Sequence, residues 1–238
     1  MIDRFLQGWS REGPGIPADL PPKTGLALLG STIVREAWEL FVLNLLIVLC
    51  CLPLVTIPAA HAAAARVSAK MLRDEPIYLL RDFRAAFSAL FLRATLIGAG
   101  AGLVLMLCAY AVFIYGQLVL VSPLYALPMV LAVSVSLGVL MTAMAAIVLM
   151  AAEEAPQPKL IRRAVTATLL RPLPALAALA CVAALWLAHV MFYPVSVFMP
   201  AVANFSLGVL IVTFAMRPTV SGKGRPARPA RATGAETA

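Results

Sequence analysis

Residues 94–116 read ATLIGAGAGLVLMLCAYAVFIYG, an unbroken run with no charged side chain. A helix rises about 1.5 Å per residue, so about 20 apolar residues cross the ~30 Å hydrocarbon layer of a bilayer. Backbone inside lipid must satisfy its own hydrogen bonds, which a helix does within one segment. The run is therefore expected to be a membrane-spanning helix, and it sets the fold class. Working outward, residues 124–150, 173–193 and 194–215 are likewise apolar and uncharged, as is 38–60 apart from Glu39 at its mouth. The expected fold is all-α, a polytopic transmembrane helix bundle of about five spans. It occupies residues 36–216, after an irregular Gly/Pro-rich arm over 1–35 and before a disordered basic tail over 217–238.

Composition agrees with this reading. Hydrophobic residues make up 62% of the chain and charged residues 13%, against about 45–50% and 25% in an ordinary soluble domain. The mean hydropathy of +0.94 excludes a disordered chain and argues against a soluble enzyme. The net charge is +8, and its distribution orients the chain. With five crossings and the amino terminus outside, the segments 61–93 and 151–172 and the tail all fall inside, leaving only Arg4, Arg11, Lys23 and Arg35 outside. That is the arrangement the positive-inside rule favours. The run Leu26 to Val34 after Lys23 is interrupted by Gly30, Ser31 and Thr32, so no cleaved signal peptide is expected. The tail reads as a retention element, because no aromatic or fold signature of nucleic-acid binding accompanies its charge.

Pro53 and Pro58 interrupt the first apolar stretch, and an internal proline removes a helix hydrogen bond. This leaves an alternative in which residues 36–60 enter and return as a hairpin, with all the basic residues on one side. The break is also the first candidate site, formed by Asn44, Pro53, Thr56 and Pro58. Broken helices expose backbone carbonyls and line binding sites in transporters, and Asn44, Thr56 and His61 are the nearby polar groups able to answer those carbonyls. Asn204, Ser206 and His189 are the other polar groups at depth and are expected to bond neighbouring helices.

A second candidate lies between the first two spans. Asp74, Glu75 and Pro76 form a helix stop and start. Leu79, Leu80, Phe83, Phe87, Leu90 and Phe91 then recur at spacings of three and four, opposed by Arg81, Asp82, Arg84 and Ser88. The pattern predicts an amphipathic cytoplasmic helix that either packs beneath the bundle or offers Arg81, Asp82, Phe83, Arg84 and Phe87 as a docking face. Gly98 with Gly102, and Ser134 with Gly138, allow close helix approach.

Several chemistries are disfavoured. The motifs HExxH, GxSxG and the P-loop do not occur, and Glu153 with Glu154 reads as the start of a solvated loop. Cys50, Cys51, Cys108 and Cys181 lack metal or redox spacing. No catalytic, cofactor-binding or metal-ligating residue is expected. The middle of each span lacks Asp, Glu, Lys and Arg, which argues against ion-coupled transport.

The string Asn44–Leu46, then Leu52, Pro53, Leu54, Val55, Thr56, Ile57, Pro58 and Ala59, followed by Arg81, Asp82, Phe83, Phe87 and Phe91, resembles the YesL family of small bacterial integral membrane proteins. The resemblance covers residues 35–95. It implies a multi-pass protein of the bacterial inner membrane, without defined activity and often encoded near carbohydrate uptake systems. It supplies no catalytic residues. The expectation is a non-enzymatic accessory component of carbohydrate uptake or utilisation, with its carboxyl terminus in the cytoplasm. Its expected partners are the lipid bilayer and a membrane transport system, with no nucleic acid. The alternative is a small transporter or channel using the Pro53–Pro58 break.

Overall fold

The computed structural model describes residues 24–152 and 157–220. The described residues form an all-α bundle without strands. The helices are α1 (Gly25–Arg35), α2 (Ala37–Cys50), α3 (Ile57–Leu72), α4 (Leu79–Leu118), α5 (Ala126–Ala152), α6 (Gln157–Leu170), α7 (Pro172–Met191) and α8 (Phe205–Val220). Most of the expected amino-terminal arm and carboxyl-terminal tail, together with Glu153 and Glu154, lies outside the described residues. The part of the arm that is described is helical. Gly25 starts α1 at φ +59°, a conformation open to glycine at little cost. The apolar residues Leu29 and Ile33 then pack against the core. Ser31 is accommodated because its hydroxyl bonds the Leu28 carbonyl at 3.0 Å.

Against the five apolar stretches, the described residues hold four helices of spanning length: Leu79–Leu118, Pro123–Ala152, Pro172–Met191 and Pro200–Arg217. The stretch 38–60 is the one that does not form a single rod. Helix α2 stops at Cys50 after 14 residues, about 21 Å, and a short 3-10 turn (Leu54–Thr56) reverses the chain into α3. The two ends of this hairpin meet. Arg35, just before α2, donates to the Met71 carbonyl at 3.0 Å and pairs with Asp74 at 3.1 Å, just after α3. The chain doubles back as the hairpin alternative has it, but the returning limb runs on to Leu72 and does not end at residue 60. The prolines allow the reversal, since Pro53 ends the donor ladder of α2 and Pro58 occupies the first turn of α3, where no donor is missed. The last stretch is also shortened, because residues 192–198 form turns and the helical path resumes at Met199.

Helix α3 is central, touching α2, α4, α5 and α8. Its alanines explain this placement. Ala59, Ala60 and Ala62 to Ala65 are buried, and side chains of one carbon let four neighbours approach closely. The helix ends in a Schellman arrangement, with Glu75 N–H on the Lys70 carbonyl at 3.2 Å and Asp74 N–H on the Met71 carbonyl at 3.3 Å. Asp74 takes the left-handed position usually held by glycine, at φ +59°, which aspartate tolerates better than most residues.

Helix α4 begins three residues beyond Pro76, with the Asp82 carboxylate accepting from the Tyr78 N–H at 3.2 Å. It then continues unbroken for 40 residues. The amphipathic segment and the second span are therefore one helix, because no proline separates them.

Candidate functional site

The first candidate site is divided by the structure into two separate places. At the break, Thr56 answers the freed carbonyls, its hydroxyl donating to Cys50 O and Pro53 O. The His61 ring lies 2.8 Å from the Ile57 carbonyl through Nδ1. The tip of the hairpin is pressed onto α4. A Cβ added at Gly98 would lie 2.2 Å from Pro58 Cγ, whereas at Gly100 or Gly102 it would meet nothing within 4 Å. Of the GxxxG pair, Gly98 is thus the contact position. The Pro53–Pro58 turn is packed and bonded to itself.

Asn44 does not serve that break. It sits in mid-α2 with 0% exposure, and its amide crosses to the last span. The Nδ2 donates to Pro200 O at 2.9 Å and to Ala201 O at 2.6 Å. The Oδ1 accepts from the N–H groups of Phe205 and Ser206, both at 3.0 Å. Four backbone groups of one helix are satisfied by one side chain inserted into its hydrogen-bond ladder, and the ladder widens there to a π-type turn over Pro200–Asn204. Sequence proximity suggested the wrong partner, because the second break, after Pro200, was hidden inside a uniformly apolar stretch.

The other deep polar groups behave unequally. Ser206 bonds within its own turn, its hydroxyl on Ala203 O at 3.2 Å. His189 and Ser196 close the 192–198 turn on each other's carbonyls, at 2.9 and 2.6 Å. Asn204, expected to bond a neighbouring helix, is 1% exposed and its amide has no hydrogen-bond partner. Beside it, Phe205 receives the edges of Trp186 and His61, at 5.4 and 6.4 Å between ring centroids, which docks α7 and α3 onto α8.

The second candidate, the face over residues 81–87, also divides. Phe83 is buried and unavailable to a partner, and the half-buried Phe87 packs against it with ring centroids 6.2 Å apart. Asp82 turns inward to Lys70 at 2.8 Å. Arg81 and Arg84 face outward, Arg81 lying 4.2 Å above the exposed Tyr78 ring. Most of the stripe therefore packs against the bundle, while Tyr78, Leu80, Arg81 and Arg84 face outward. Next to it, Glu75 is held below the usual carboxylate range, chiefly by the side-chain hydrogen bond from Arg73.

Comparison with known proteins adds one finding. Residues 40–112, from α2 into the second half of α4, are similar to a family described as a protein of unknown function, DUF624, a family to which YesL-like proteins belong. No curated protein and no solved structure matches the chain. With its apolar helices, the chain is a membrane protein.

Proposed function

We propose that the protein is a non-enzymatic accessory component of the bacterial inner membrane, carboxyl terminus in the cytoplasm, that docks a carbohydrate transport system through the outward face of Tyr78, Arg81 and Arg84. The observation that carries the reading is the division of polar groups. The amide of Asn44 is consumed by four backbone bonds, and Thr56 is spent on the turn it closes. Neither is left to hold a transported solute. The cationic groups of α1, α3 and the start of α4 gather at one end, where Arg35 meets Asp74 and Lys70 meets Asp82, which suits a cytoplasmic contact. The setting of the resembling family points to carbohydrate uptake as the process.

The test pairs deletion with charge reversal. Deleting the gene should lower uptake of a sugar by its own transporter, and Arg81→Glu with Arg84→Glu should reproduce the loss while the protein stays folded in the membrane. The permease should co-purify with the native chain and not with the double variant. Unchanged uptake in the deletion strain overturns the reading, as does a flux of solute carried by the purified protein alone in liposomes.

A further inference from the structure

Between the carboxyl-terminal half of α3 and the first turns of α4 lies an open cleft of about 360 Å³, lined by Arg66, Val67, Lys70, Asp82, Ala85, Ala86 and Ala89. Two cations face one carboxylate, and both cations keep donors in reserve. Arg66 places Nε on the Ala151 carbonyl at 3.0 Å, which uses one of the five guanidinium N–H donors. Lys70 places one ammonium donor on Asp82 and has two more. The opposite wall is made of alanines, so nothing long enters the cleft from α4. From that wall an apolar track continues along one face of α4. Ala85, Ala89, Leu92, Leu96 and Leu103 follow at spacings of four, three, four and seven, and all are exposed. The track leaves the cationic end and runs into the segment beyond Arg93, where charged residues cease until Glu153.

We propose that this cleft binds the phosphate-bearing headgroup of an anionic phospholipid, with an acyl chain laid along the α4 track. Basic recesses between helices at the cytoplasmic side of a membrane suit such headgroups, and a guanidinium with spare donors matches phosphate geometry. The continuous track selects an amphiphile over free phosphate: a soluble anion would use the two cations and leave Ala85, Ala89, Leu92 and Leu96 bare. The site depends on the chain being a membrane protein and not on any transport partner, so its test is independent of the docking proposal.

The full chain, purified in detergent and stripped of lipid, would be titrated with phosphatidylglycerol and with phosphatidylcholine of the same acyl chains, bound lipid being counted by native mass spectrometry. Phosphatidylglycerol should bind about tenfold more tightly. Arg66→Gln and Ala89→Leu should each reduce that binding about tenfold, and Lys159→Gln, away from the cleft, should leave it unchanged. Ala89→Leu fills an exposed wall without removing a hydrogen bond, so it decides the matter if Arg66→Gln does not fold. Equal binding of the two lipids, or a phosphatidylglycerol preference that survives Ala89→Leu, overturns the proposal. Displacement of the lipid by millimolar inorganic phosphate would show that the cations alone bind and would overturn the acyl-chain part.

Discussion

The two halves of the α4–α5 pair have opposite surroundings. At the basic end, Phe83, Ala86, Leu90 and Ala94 of α4, with Met141, Ala145, Leu149 and Met150 of α5, are buried against α3, α6 and the other helices. Beyond them, no residue from 95 to 140 is buried, although the segment carries no charge. The hairpin tip stops at Gly98, and α4 continues for twenty residues past it, about 30 Å. The same kind of sequence is thus covered by protein in one half and left to lipid in the other. The packed half is rich in alanine, while the bare half presents Leu, Val, Phe and Tyr outward. Lipid supplies no hydrophobic drive for helices to associate, so small side chains and hydrogen bonds, more than apolar character, decide which half packs.

Several substitutions break or sharpen this contrast. The largest loss is expected at Asn44, where Asn44→Ala removes four buried hydrogen bonds to the backbone of the last span. Each buried unsatisfied group costs about 1–3 kcal/mol, so the variant should give no monodisperse peak in detergent chromatography. Asn44→Asp should fare no better, since its carboxylate cannot donate to Pro200 and Ala201. Next, Leu149→Ala in the packed half should cost about 2–5 kcal/mol, read from thermal unfolding in detergent. Leu131→Ala in the bare half should stay within about 0.5 kcal/mol, and equal costs would abolish the distinction between the halves. Third, Gly98→Ala should destabilise by about 1–3 kcal/mol through its collision with Pro58, while Gly102→Ala, facing open space, should not.

The smallest effect belongs to the exposed Arg73–Glu75 pair, 2.6 Å apart, since such pairs contribute at most about 1 kcal/mol. The Glu75 carboxyl is depressed by Arg73. Its contribution is therefore present above the ordinary carboxylate pKa and is lost as pH falls through the depressed value. Comparing Arg73→Ala with the native chain should show a stability difference at neutral pH that vanishes in acid.

Much of the bundle was legible from the length of the uncharged stretches, a property that survives any tertiary arrangement. The hairpin was legible only as an alternative, because Pro53 and Pro58 mark a break without saying which way the chain leaves it. That direction follows from the packing of the alanines of α3 against α2, α4, α5 and α8, contacts with no local signature. The α4 stripe was read correctly as apolar on one face, but Phe83 and Phe87 could not be assigned to core or surface from periodicity, which is the same for both. Asn44 was recognised as important and given the wrong partner. A buried amide can bond any open backbone within reach, and the opening after Pro200 carries no mark beyond the proline itself.

The Asn44 bridge has a consequence for how the protein is made. Its acceptors and donors lie 156 to 162 residues further along the chain, so the amide enters the nascent structure long before its partners have been synthesised. Until α8 emerges, the hairpin carries an unanswered polar group within an apolar helix, and the last span lacks the side chain that holds open its π-type turn. An early helix, α2, and the last described one, α8, therefore complete each other. Assembly ends in a single closing step, and a ribosome arrested before Pro200 should leave a hairpin accessible to membrane proteases that spare the finished protein.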